Sequence, residues 1–114
     1  MFAGDQDIQV TPSVFSCSVA RIDGQVVADV IGEIDGVSAG QFRNQLLTIA
    51  KEHPESIVVD MANASLLDNK SLAVLIEVWQ FTQEHGIEFT IKSPGPSICR
   101  VFDVAPSGRL VTLR

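Results

Sequence analysis

The residues of this sequence that could bind a metal ion are too few to form a motif. The two histidines, His53 and His85, stand directly before Pro54 and Gly86. At those positions a histidine is expected to end a helix, where the helix dipole favours it and the last carbonyl oxygens can bond to its ring. Neither histidine has a third ligand at a metal-binding spacing, so the sequence predicts no metal site.

Nucleophilic and phosphate-binding chemistry is equally unsupported. The sequence contains no GxSxG, GxxxxGK[ST] or GxGxxG motif. Four carboxylates fall at or near predicted strand ends and helix starts, namely Glu33, Asp35, Asp60 and Asp68. Ligands of open α/β sheets bind beyond the carboxyl ends of the strands, so Asp35 and Asp68 could share one end of the molecule. Two acids without a pocket signature do not define an active site, and we predict neither an enzyme nor a bound cofactor.

A different signal comes from the stretch LLDNKSLAVLI, residues 66–76, in which four polar residues separate two apolar blocks. Asp68 or Asn69 is expected to cap the following helix by accepting hydrogen bonds from free backbone amides. That structural role does not explain why the preceding loop, ANASLL, is itself mostly apolar.

The first half of the chain predicts a hairpin followed by a helix. Asp23-Gly24 separates two β-rich runs, as expected for a type I′ turn, which needs positive φ at both central positions. Ser38 and Gln41 form a capping box at the start of a helix over about residues 39–52, with apolar residues at helical spacing. The continuous apolar run at residues 57–59 predicts a strand buried on both faces.

The second half alternates helices and strands. The pattern predicts a largely apolar helix over about residues 70–84, a half-exposed strand near residues 87–91, a short helix carrying Ile98, Val101 and Phe102, and a last strand at residues 109–113. The order β-β-α-β-α-β-α-β implies right-handed crossovers and a mixed, mostly parallel sheet with helices packed on it.

Composition sets the class of protein. The chain has 114 residues, of which 46% are hydrophobic and 19% charged, with a net charge of -6. This predicts one domain over residues 1–114, with residues 1–12 as a loosely ordered N-terminal segment. An acidic surface disfavours nucleic acid, and the chain offers no signal peptide or apolar run long enough to span a bilayer. A cytoplasmic protein without membrane insertion is expected, in which Cys17 and Cys99 are small buried hydrophobes.

Three segments together resemble the STAS domain family: VVADVIGEID, then IVVDMANASLLDNKSLAVLIEVW, then GIEFTIKSPGPSICRVFDVAPSGRLVTL. The resemblance runs from about Val19 to the C-terminus. More narrowly, the chain is similar to the single-domain anti-sigma factor antagonists of bacteria, which fits the predicted fold.

The resemblance implies regulation by partner switching. Antagonists of this family bind an anti-sigma factor, usually a kinase of the histidine-kinase ATPase fold, and thereby release a sigma factor. The kinase phosphorylates a serine or threonine at a helix start, in a pattern like D-S-S-G-L, and the added charge of roughly -1.5 to -2 dissolves the complex. Carried onto this sequence, the partner-binding residues are Asp35, Asp68, Asn69, Lys70 and Ser71.

The sequence departs from the family at the phosphoacceptor. Asn69 stands where the hydroxyl is expected, Lys70 where a second serine or threonine is common, and Ser71 where glycine is usual. Asn69 therefore predicts an antagonist that stays competent without phosphorylation at that position. Two alternatives remain open: Ser71 serves as the acceptor instead, or the chain is a constitutive STAS subunit of a lipid-transport or stress-signalling complex.

Overall fold

A computed structural model describes residues 15–104 and 111–114 of the chain. The predicted loose segment at residues 1–12 and the first two residues of the predicted last strand lie outside the described residues. In chain order the elements are β1 Ser16–Ile22, β2 Gln25–Ile34, α1 Ala39–Ala50, β3 Ser56–Leu67, α2 Asn69–Glu84, β4 Glu88–Lys92, α3 Pro96–Val104 and β5 Thr112–Leu113.

The five described strands form one sheet in the order β1-β2-β3-β4-β5. β1 runs antiparallel to β2, and the remaining pairs are parallel. The hairpin turn has φ of 49° at Asp23 and 83° at Gly24, which confirms the predicted turn. The predicted mixed α/β fold is therefore confirmed. Because the strand order is sequential, right-handed crossovers place α1, α2 and α3 on the same face of the sheet.

Burial along the strands follows from this one-sided arrangement. In β2, Val26, Ala28 and Val30 are buried beneath the helices, while alternate residues on the opposite face remain at least partly exposed. In β3, Ile57 and Val59 are fully buried but Val58 is not. The prediction that this strand is buried on both faces was therefore wrong for Val58, since an apolar run does not reveal that all the crossovers fall on one side.

The predicted core face of α1 is confirmed, because Phe42, Leu46, Ile49 and Ala50 are all buried. The predicted capping box is wrong. The Ser38 side chain accepts no hydrogen bond from the first turn of α1. Its Oγ atom instead accepts a hydrogen bond from the backbone amide of Asp35, at 3.1 Å.

Candidate functional site

The turn between β2 and α1 is organised by Asp35. Its Oδ1 atom accepts hydrogen bonds from the backbone amides of Val37 at 3.0 Å and Ser38 at 3.1 Å, and it lies 3.2 Å from the Ser38 hydroxyl oxygen. These donors, the Ser38 amide above all, hold the pKa of the Asp35 carboxyl below its ordinary value. Asp35 therefore folds its own turn, and its ionised side chain is engaged in local hydrogen bonds.

Asp68 does the same for the start of α2. Its extended backbone, with φ of -89° and ψ of 177°, lets its Oδ1 accept a hydrogen bond from the Ser71 amide at 2.9 Å. This confirms Asp68 as the helix cap. The Asp68 amide also donates to the Ile34 carbonyl at 3.2 Å, which joins the end of β3 to the end of β2. Asp35 and Asp68 consequently lie at adjacent strand ends, as the sequence suggested.

Ser71 is fully buried, with 0% of its surface exposed. Its hydroxyl donates to the Ile34 carbonyl at 2.9 Å, and the Asp35 carbonyl lies 3.5 Å away. The first turn of α2 is thus fastened to the carboxyl end of β2 through this hydroxyl. A hydroxyl in that position cannot reach an external reagent unless the turn opens.

The outward side of the same turn carries Asn69 and Lys70, both exposed. Lys70 extends across Gly36 of the preceding turn. A Cβ atom added at Gly36 would lie 3.5 Å from Lys70 Cδ and 4.0 Å from its Nζ. Within the described residues, Lys70 forms no ion pair. The surface therefore presents a neutral amide beside a cation that has no ion-pair partner among the described residues.

Apolar side chains border these polar groups. Val37, in the Asp35 turn, is 93% exposed, and Leu66, near the end of β3, is 45% exposed. Both side chains are therefore available for contact with another protein. Sequence reasoning did not single out Val37 or Leu66, although the apolar ANASLL segment already pointed towards Leu66.

The five residues predicted for the site fall into two groups. Asp35, Asp68 and Ser71 build the two turns, whereas Asn69 and Lys70 face outward. The sequence did contain a signal for the burial of Ser71. Positions 71, 75, 78 and 82 recur at helical spacing, and all of them are buried in α2.

The remaining acidic and thiol candidates from the sequence, Asp60, Cys17 and Cys99, do not join this site. Asp60 accepts a hydrogen bond from the Ala62 amide at 3.0 Å. Cys17 and Cys99 are free thiols that are half-buried rather than fully buried, and burial raises the pKa of Cys17. In residues 15–104 and 111–114, no group of three or more histidine, cysteine or acidic side chains is placed to hold a metal ion.

A cavity of about 300 Å³ lies on the sheet face opposite the helices. Val58 and Thr90 contribute to its lining, together with Lys92 and Arg114, and none of the predicted site residues borders it. In the described part of the chain, no helix is long and apolar enough to cross a membrane.

Comparison with known proteins identifies the family. The STAS domain model matches residues 16–114, so the chain belongs to the STAS domain family. This match begins slightly before the resemblance found in the sequence.

Solved structures agree in fold. An anti-sigma factor antagonist from Mycobacterium paratuberculosis superposes with a TM-score of 0.81 at 22% identity, covering 90% of this chain and 87% of that one. The Bacillus cell fate determinant SpoIIAA in its phosphorylated form gives a TM-score of 0.68 at 18% identity, with 89% and 91% covered. A variant of Moorella thermoacetica RsbS gives 0.72 at 19% identity, with 86% and 85% covered.

Proposed function

We propose that this chain is a non-enzymatic anti-sigma factor antagonist that acts in the cytoplasm. It binds an anti-sigma factor and so releases a sigma factor for transcription. Membership of the STAS family and the fold shared with anti-sigma factor antagonists support this proposal. The partner is expected to be a kinase-like ATPase, as in the partner-switching systems that the sequence resembles.

The proposed contact region, here called the docking surface, consists of Asn69 and Lys70 with Val37 and Leu66 beside them. Asp35, Asp68 and Ser71 support it from beneath. The hydrogen bonds of Asp35 and Asp68 favour a binding role over catalysis, because both carboxylates serve as acceptors for backbone amides of their own turns. Their removal would alter the shape of the docking surface rather than a reaction.

One observation carries the proposal that phosphorylation at this helix start does not regulate the protein. The exposed position of the first turn holds an amide, Asn69, and the single hydroxyl of the DNKS segment, Ser71, is 0% exposed and bonded to the Ile34 carbonyl. A kinase would have to break that bond and open the turn before reaching the oxygen. We therefore infer that the antagonist remains competent to bind, with Asn69 in place of an unphosphorylated serine.

Lys70 gives the docking surface a charge preference. It is a cation at the start of a helix that forms no ion pair with a described residue, on a chain whose net charge is -6. Its ammonium group would be stabilised by a carboxylate on the partner. We expect the partner to place an acidic residue opposite Lys70 and an apolar pocket against Val37.

Binding measurements with the anti-sigma factors of the source bacterium test the docking surface. Asn69→Glu is expected to weaken the complex about tenfold or more. The added carboxylate would lose its water on binding without gaining a compensating positive charge from the anti-sigma factor. Lys70→Glu is expected to weaken it as well. The matched control is Gln83→Glu, which adds the same charge at an exposed position near the other end of α2. Equal affinity of wild type and Asn69→Glu would disprove the docking surface.

Incubation with the same kinase-like partners and ATP, followed by intact-mass measurement, tests the absence of the switch. The unmodified mass is expected. A product heavier by one phosphoryl group and mapped to Ser71 would overturn the proposal. Capture of a transport ATPase instead of an anti-sigma factor would favour the constitutive STAS subunit.

A further inference from the structure

The two histidines, which the sequence assigned to separate helix ends, lie against each other. His85 is the C-cap residue of α2, and His53 follows α1 by three residues. Both helices connect parallel strands, so they run in the same direction and end at the same edge of the sheet. The two imidazole ring centroids are 5.3 Å apart, with the ring planes inclined at 55°.

That separation matches a shared metal ion. Zinc–nitrogen bonds of about 2.0–2.1 Å place the ring centroids of two imidazoles on one tetrahedral ion about 5 Å apart. The observed separation of the two rings is therefore compatible with both imidazoles binding one ion.

His85 makes a contact on one ring nitrogen that leaves the other free for a metal ion. Its Nδ1 atom lies 2.8 Å from the Phe81 carbonyl oxygen, which can only accept a hydrogen bond. In the neutral ring Nδ1 must then carry the proton, which leaves the lone pair on Nε2. The ring also stacks on Phe81, with centroids 4.1 Å apart. A hydrogen bond from the second ring nitrogen to a carbonyl is what metal-binding histidines commonly make.

His53 is the exposed partner of the pair and follows the end of α1. Its φ of 55° turns the chain after α1, and its backbone amide donates to the Ala50 carbonyl at 3.0 Å. Its ring is exposed and forms no hydrogen bond with a described residue. The negative ends of two helix dipoles meet here, which favours a cation. Charged residues lie near this pair in the chain. Lys51, the C-cap of α1, carries a positive charge that would disfavour a cation, whereas Glu84, directly before His85, carries a negative charge that would favour one.

We propose that His53 and His85 bind a divalent transition-metal ion that favours imidazole, such as Ni²⁺ or Zn²⁺, with water completing its coordination. The ion would join the C-terminal ends of α1 and α2. This site lies about 24 Å along α2 from the docking surface, judged by the 16 residues of that helix. It is independent of the proposed function.

Titration of the untagged protein with NiCl₂ or ZnCl₂ tests the site, with calorimetry for affinity and thermal unfolding for stability. Wild type is expected to bind either ion and to gain a few degrees in Tm, because a ligand that binds only the folded state stabilises it. MgCl₂, which prefers oxygen ligands, is expected to leave Tm unchanged. Paramagnetic Ni²⁺ should broaden the ring proton resonances of His53 and His85, which separates this site from binding at the cysteines.

The variants are chosen to preserve the fold. His53→Asn keeps a residue that tolerates positive φ, and His85→Gln removes the second ligand. Each is expected to lower Ni²⁺ affinity by about tenfold or more. Unchanged Ni²⁺ affinity in His53→Asn, or wild-type protein with no Tm shift and no selective broadening, would overturn the proposal.

Discussion

Asn69 and Ser71 are two residues apart in the first turn of α2, yet their surroundings are opposite. Asn69 is exposed and belongs to the proposed docking surface, while Ser71 is fully buried and bonded to the end of β2. Two residues along an α-helix correspond to a rotation of about 200°, so they point to opposite sides. A four-residue polar segment thus has one side that can meet a partner and another that holds the helix in place.

This difference separates two consequences of adding negative charge. At Asn69, a carboxylate would lie in solvent near the positive end of the helix dipole, and only a bound partner would be affected. At Ser71, a carboxylate would be buried close to the carbonyls of Ile34 and Asp35.

Ser71→Glu is expected to destabilise the protein by about 3–5 kcal/mol, because it buries an uncompensated charge and removes the hydroxyl that joins α2 to β2. Urea unfolding followed by fluorescence of Trp79, the single tryptophan, measures the change. Asn69→Glu is the matched control, and its stability should stay within about 0.5 kcal/mol of wild type. Similar losses in both variants would contradict the assignment of opposite faces.

Asp68→Ala removes the side chain that caps α2 and accepts a hydrogen bond from the Ser71 amide. It is expected to cost about 1 kcal/mol, the usual effect of losing an N-cap side chain. The same urea experiment measures it, with Asp68→Asn as a control that keeps an acceptor oxygen. Should the alanine variant be as stable as wild type, the hydrogen bond from the Ser71 amide would have no energetic role.

Asp35 adds a smaller, pH-dependent contribution. Its pKa is lowered in the folded state, so its stabilising effect is fully present above the ordinary aspartate value of about 3.9 and is lost as pH falls through the lower folded value. Asp35→Asn keeps an acceptor but does not ionise there. Wild type should lose stability more steeply than the variant between about pH 5 and pH 2. Parallel stability curves would refute this role.

Asn69→Ser is expected to have the smallest effect on stability, within about 0.5 kcal/mol, because serine is tolerated at an exposed helix start. It places a hydroxyl on the outward side of the turn. With a kinase-like partner and ATP, this variant should gain one phosphoryl group while wild type does not. If the variant also stays unmodified, the missing hydroxyl at position 69 does not explain the lack of phosphorylation.

Most of the fold could be predicted from sequence because it depends on local patterns. Positive φ at Asp23-Gly24 and helical spacing of apolar residues in α1 follow from residue type and period. The capping box at Ser38 failed because a competing local turn forms. The Asp35 side chain accepts hydrogen bonds from the Val37 and Ser38 amides just before α1, and the serine hydroxyl accepts one from the Asp35 amide.

Only part of the candidate site could be predicted from local sequence patterns. A cap at Asp68 or Asn69 was predicted, and Asp68 provides it through a local hydrogen bond. The exposure of Val37 and Leu66 depends on how the turns meet at the edge of the sheet, which the linear sequence does not express. Ser71 was predictable only in part. Its position four residues before the buried Leu75 indicated that it lies on the buried face of α2, but its hydrogen bond to the Ile34 carbonyl could not be predicted from the sequence.

By itself, the sequence determined the order of the elements, the STAS resemblance and the presence of an amide rather than a hydroxyl at position 69, because each depends on residue type and spacing along the chain. Tertiary structure alone decided that Ser71 is inaccessible and that His53 and His85 are neighbours. Both results arise from contacts between segments more than 30 residues apart, 34 to 71 in one case and 53 to 85 in the other. Such contacts form only when parallel crossovers bring strand ends and helix ends to common edges of the sheet.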